Sequence, residues 1–171
     1  MYLCKYLYTF ELNIINMDFY QSAGTLVLGS RLKRLGEKFL AEVSKVYASQ
    51  QIDFDPSWFP IFYLLDKNKR MSLREISDTV TVSHSAVSQL TTALIKKGLL
   101  EVQKDESDGR IKLMLLTKEG EKLVESSKPI WKAIQQSMLE ITEETDLLSE
   151  LTSLEKSLQE KTLSERVLDK I

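Results

Sequence analysis

Cysteine is almost missing: Cys4 is the only one in 171 residues. A single thiol excludes an intramolecular disulfide framework and a Cys-based zinc site, and it points to a reducing, cytoplasmic setting. Histidine is as scarce, so His-based acid–base chemistry would rest on His84 alone. With 6 Gly, 3 Pro and 43% hydrophobic residues, collagen-like and disordered classes are excluded. No apolar run approaches the roughly 18 residues that would span a bilayer. The net charge of −2 excludes a globally basic nucleic-acid coat and leaves room for a local basic surface. There is no Ser-His-Asp arrangement, Gly-rich phosphate loop or metal-ligand cluster. The expectation is therefore a non-enzyme without metal or cofactor.

What is present suits one domain with helical extensions. Charge is uneven: residues 1–70 hold 9 basic and 7 acidic side chains, residues 71–120 hold 7 of each, and residues 121–171 hold 7 and 11. An acidic tail is a poor match for phosphate, so any nucleic-acid surface belongs in the first two thirds. Residues 1–16 are apolar and aromatic but lack the charged start and small-residue cleavage site of a signal peptide. They read as an extra packing element, or else the natural start is Met17.

Helical periodicity begins soon after. Leu28, Leu32, Leu35, Phe39, Val43 and Val46 recur at threes and fours and predict a long helix over 19–49. Pro56 opens an aromatic stretch that predicts a helix over 56–66. Lys67, Lys69 and Arg70 read as a basic connector, either solvated or in contact with phosphate. Ser72 with Glu75 is a capping box for a helix to about 79. Ser83 caps a second helix over 84–97, which Gly98 ends. Alternating residues over 99–104 and 110–116 predict a hairpin around an Asp- and Gly-containing turn, where Gly109 would allow a tight tip. Thr117 opens another helix that Pro129 should break or kink. Thr142 is expected to cap a last segment. Its Leu147, Leu151, Leu154 and Leu158 form a seam that packs on a two-fold partner or on its own domain.

Two short helices, a tight turn and a hairpin describe a winged helix-turn-helix, mainly α with a small β-hairpin. The second helix can lie in a major groove. Val87, Leu90, Leu94 and Ile95 supply its inner face. Ser83, His84, Ser85, Ser88, Gln89 and Thr92 supply a small, polar outer face, with His84 either on DNA or simply in solvent. Arg110 at the wing tip is the right size for a minor groove, with Asp108 orienting it; the plain alternative is a surface ion pair.

Residues 72–120 resemble the multiple-antibiotic-resistance regulator (MarR) family of winged-helix transcription factors. The likeness is carried by Ile76-Ser-Asp, Val82-Ser-His-Ser-Ala-Val-Ser-Gln-Leu90, Lys97-Gly-Leu-Leu100, Asp108-x-Arg110 and Leu115-Leu-Thr-x-x-Gly120. It implies that Arg110 enters a minor groove with Asp108 as its partner, and that Ser83, Ser85, Ser88 and Gln89 meet bases and phosphates. It implies a homodimer through residues 26–47 and 129–171, a pseudo-palindromic duplex operator, and a repressor released by a small aromatic effector.

The chain then divides into an extension over 1–16, a dimerisation helix over 17–55, a DNA-binding lobe over 56–120 and C-terminal dimerisation helices over 121–171. Trp58, Phe62 and Tyr63 either fill the core or line the effector pocket. One departure from the family pattern stands out: the recognition helix has no Arg or Lys in its first half, so a bidentate guanine contact is missing. That departure and the acidic residues that crowd the wing, Glu101, Asp105 and Glu106, motivate a rival reading, a winged-helix interaction module without DNA binding.

Overall fold

The computed structural model describes residues 19, 20 and 22–171. The expectations for residues 1–16, Cys4 and Met17 lie outside the described residues. The chain falls into two compact units, one up to Glu125 and one over Ser126–Ile171.

In the first unit a 3-10 turn, Gly24–Val27, precedes helix α1, Leu28–Ser49. The helix expected over 19–49 is thus interrupted: residues 19, 20 and 22 are helical, and the 3-10 turn separates them from α1. Gly24 has a φ of 55°, a left-handed conformation that an α-helix cannot contain. Asp55 caps a second 3-10 turn, Pro56–Trp58, by accepting from the Ser57 amide at 2.8 Å. Helix α2 follows over Phe59–Asn68. Strand β1, Arg70–Ser72, was not expected: the second half of the basic connector pairs with the wing.

Ser72 then starts helix α3, Leu73–Val80, and the capping box is complete: the Glu75 amide donates to Ser72 Oγ and the Ser72 amide to Glu75 Oε2. The Ser72 amide, followed by the Ser72 hydroxyl, holds the Glu75 carboxyl below its usual range. Thr81 turns left-handed and ends the helix, and α4 runs over His84–Lys96. Gly98, at φ 71°, makes the left-handed C-cap that a side chain would strain.

Strands β2, Leu100–Lys104, and β3, Lys112–Leu116, form the wing hairpin. The sheet is antiparallel and three-stranded in the order β1-β3-β2, so the expected hairpin gains a third strand on β3. The core gathers Phe54, Ile61, Phe62, Leu65, Ile76, Val87, Leu94, Leu100, Leu113 and Met114. Full burial of side chains such as Phe62, Leu65 and Leu94 stabilises the fold by about 1.5–3 kcal/mol each.

Helix α5 spans Lys118–Thr142 with Pro129 inside it, so the proline does not break the helix. Buried apolar residues flank it on both sides, Val124 and Ile130, and the missing N–H removes one bond from a 25-residue ladder. In the second unit Asp146, not Thr142, precedes α6, Leu147–Glu160. The Thr142 hydroxyl instead donates back to Met138 at 2.8 Å. A further helix, α7 over Leu163–Leu168, opens on a second capping box between Thr162 and Glu165. Among the described residues no helix is long and apolar enough to cross a membrane.

Candidate nucleic-acid interface

The site starts from α4. Ser83 accepts from the Ala86 amide at 3.3 Å and lies 3.3 Å from the Ser85 hydroxyl, which satisfies part of the helix start. Ser83, His84, Ser85, Gln89 and Thr92 are exposed, and Ser88 is half-buried. Thr92 returns its hydroxyl to the Ser88 carbonyl at 2.7 Å. The inner face holds Val87 and Leu94 in the core, with Leu90 and Ile95 half-buried. Thr91 is also buried there, and the pattern of apolar residues had missed it. Its hydroxyl donates to the Val87 carbonyl at 2.9 Å, so a β-branched threonine serves as an apolar filler with its polar atom satisfied.

The wing tip is built from carboxylates that accept backbone amides. Asp105 Oδ1 accepts from the Ser107 amide at 2.8 Å, the Asp108 amide at 3.0 Å and the Ser107 hydroxyl. The Ser107 hydroxyl bond, followed by these amides, holds the Asp105 carboxyl below its usual range. Asp108 grips Arg110 three times. The Arg110 Nε donates to Oδ1 at 3.0 Å, Nη2 to Oδ2 at 3.2 Å, and the Arg110 amide to Oδ1 at 3.0 Å. The guanidinium bond, ahead of the amide, lowers the Asp108 carboxyl. The Arg110 side chain is 91% exposed. It is thus held in one orientation while pointing into solvent, the arrangement that a fixed fork of donors allows. Gly109 is not needed for this turn: its φ is not left-handed and a Cβ would meet open space.

A clasp joins the foot of the wing to α4. The Thr117 hydroxyl donates to the Gly98 carbonyl at 2.6 Å, and the Thr117 amide to the Leu99 carbonyl at 3.1 Å. The same hydroxyl accepts from the Gly120 amide at 3.1 Å and caps α5. Gly120 passes so close to the chain that a Cβ would lie 2.2 Å from the Leu99 oxygen. The two short motifs around Gly98 and Gly120 are therefore the two halves of one joint.

The three aromatic residues proposed for a pocket separate. Phe62 is fully buried, in ring contact with Phe54 at 5.3 Å and Trp58 at 6.2 Å. Tyr63 is half exposed on another face of α2, beside Phe59 at 5.4 Å. Only Trp58 borders a hollow of about 530 Å³, together with Tyr47, Ile52, Phe54, Asp53 and Lys97. Neighbours along a helix point about 100° apart, so Phe62 and Tyr63 cannot share one wall. Lys97 sits 5.2 Å over the Trp58 ring and 3.3 Å from Asp53, which ties the end of α4 to the loop after α1. Among the described residues no group of three or more His, Cys, Asp or Glu is placed to hold a metal ion.

Residues 52–111 match the family model described as the MarR family. No curated protein is similar enough in sequence to count as a relative. Solved structures share the fold. S. aureus MepR in complex with DNA superimposes with a TM-score of 0.66 at 21% identity, covering 77% of this chain and 98% of that one. A mutant MarR from E. coli complexed with operator DNA gives 0.59 at 20%, covering 78% and 91%. Bordetella bronchiseptica BpsR, whose DNA binding is regulated by 6-hydroxynicotinic acid, gives 0.56 at 24%, covering 64% and 77%.

Proposed function

From a chain whose lobe is a MarR-family winged helix, we infer a homodimeric, sequence-specific DNA-binding transcriptional regulator. The observation that carries the reading is Arg110, exposed at the wing tip and gripped by Asp108 beside a small, polar helix face. A minor groove of roughly 6 Å admits one extended Arg and attracts it by its negative potential. Meanwhile Ser83, Ser85, Ser88 and Gln89 on α4 fit a major groove. Gln89 can pair with adenine, and the serines suit phosphates. His84 and Thr92 complete that face. MepR and MarR, both solved with DNA, support the reading by fold.

Dimerisation would bury the stripes that the chain leaves open. On α1, Leu28, Leu32, Leu35, Phe39 and Val46 are each about two-fifths exposed, and on α6 Leu147 and Leu158 are as open. Contiguous apolar faces of this kind mark interfaces. Two copies related by a two-fold axis would read half-sites about one helical turn apart.

Within this reading the regulator is a repressor that a small aromatic acid releases. The hollow beside Trp58 lies in the size range of small-molecule sites and combines an aromatic wall with the Lys97 ammonium. BpsR, a structure of the same fold whose DNA binding is regulated by 6-hydroxynicotinic acid, supports this reading.

The test is retention of genomic duplex fragments at several salt concentrations. Affinity should fall steeply with salt, and Arg110→Ala should cost about 1–3 kcal/mol if the side chain reaches base edges. Unchanged affinity in Arg110→Ala would remove the wing assignment. The absence of any salt-sensitive duplex binding would favour the interaction-module reading, which the uncharged first half of α4 motivates.

A further inference from the structure

The hairpin register places Lys104 directly opposite Lys112 at the last pair before the wing loop. The Asp105 amide donates to the Ile111 carbonyl at 3.0 Å, so the next pair outward is a hydrogen-bonded one. Pairs alternate along an antiparallel ladder, which makes Lys104 and Lys112 a non-hydrogen-bonded pair, where opposed side chains stand nearest. Like charges facing each other across strands destabilise a sheet.

Nothing within the described chain relieves this pair. Both lysines are exposed, and among the described residues neither forms an ion pair. Of the loop carboxylates, Asp105 is committed to Ser107 and the Asp108 amide and Asp108 to Arg110, while Glu106 is exposed and forms no ion pair with either lysine. The wing therefore carries two adjacent ammonium groups where its strands meet the loop and one guanidinium at its tip.

We propose that Lys104 and Lys112 together seat one backbone phosphate of the duplex beside the loop of each wing. This rests on the DNA-binding reading above. Ammonium groups are compact point charges that suit a phosphate and carry no base-reading fork. The pair thus supplies position and affinity, while Arg110 supplies discrimination.

The experiment uses the whole protein and the double variant Lys104→Met/Lys112→Met, in which methionine keeps an unbranched apolar stem on the strand. Binding is measured to a genomic fragment that the wild type retains at low salt, and to a random duplex of equal length, across a salt series. The slope of log affinity against log salt should become shallower by about 0.9 for each phosphate that is no longer neutralised, or about two units per dimer. The preference for the retained fragment should stay unchanged, whereas Arg110→Ala should lower it. The variant's melting midpoint in low salt should match or exceed the wild type's, because a repulsive pair has been removed.

A wild type that binds DNA beside a double variant of unchanged slope overturns this inference alone. So does a variant that loses fragment preference, or one that melts lower in low salt. A wild type without salt-sensitive duplex binding overturns the DNA reading, and this inference with it. Lysine-dependent capture of an acidic protein by such a wild type would assign the pair to a protein partner instead.

Discussion

Gly120→Ala tests the joint between wing and recognition helix. An alanine Cβ would lie 2.2 Å from the Leu99 oxygen, 3.2 Å from the Leu99 carbonyl carbon and 3.3 Å from Leu116 Cδ2. The first two atoms are backbone, so the conflict cannot be relieved by a rotamer change. The Leu99 carbonyl must retreat by about an ångström to reach ordinary van der Waals distance, and it is also the acceptor of the Thr117 amide. Moving it loosens that bond and the Thr117–Gly98 bond beside it. Each such bond is worth about 0.5–1.5 kcal/mol net, and overpacking strain adds about 1–3 kcal/mol. Against this, alanine gains up to about 1 kcal/mol in a helix. The balance is a loss of about 2–4 kcal/mol. At about 2–4 °C per kcal/mol for a chain of this size, the melting midpoint should fall by roughly 4–16 °C. Thermal melting by circular dichroism reads it directly. Gly109→Ala is the control: its Cβ meets open space at an ordinary φ, and the midpoint should rise or stay level. A Gly120→Ala protein that melts at or above the wild type would refute the clasp.

Two further outcomes follow from the wing and the open stripes. The Asp108 carboxyl lies below its ordinary 3.8 in the folded protein, so its grip on Arg110 contributes above the unfolded value and is lost as pH falls through the folded one. A carboxyl-carbon NMR titration should show an Asp108 midpoint under 3.8, and Arg110→Ala should bring it back up. Leu32→Glu places a charge in the α1 stripe and should turn a dimer into a monomer by sedimentation, with the fold retained because Leu32 is 39% exposed in the single chain. A dimer that survives this change would move the proposed interface elsewhere.

How far the sequence could be read depends on the range of the interaction involved. The Ser72 box, the Ser83 cap and the Gly98 stop are local devices, legible from three or four residues, and each appears where the spacing predicts. The Thr162–Glu165 box obeys the same rule and was readable too. Strand β1 was not: three residues hold too little periodicity, and only β3, some forty positions away, makes them a strand. Pro129 does not end its helix, because a local penalty is outweighed by the rest of a long helix. For the site, the residue types were legible and their partners were not. Asp105 reads as a charge that repels DNA, but the fold spends it on backbone amides. Lys104 and Lys112 look unrelated until the hairpin register brings them face to face.

The middle place of β3 in the sheet has a mechanical corollary. On one side it is laced to β1, which leads straight into α3, and on the other to β2, which follows α4. The wing strands and the helix pair are thus tied to one ladder, and neither bends away without disturbing the other. In the regulator proposed above, a silencing signal would have to steer each lobe whole. In the proposed dimer it would act on the distance and angle between the two copies and leave the shape of either one alone.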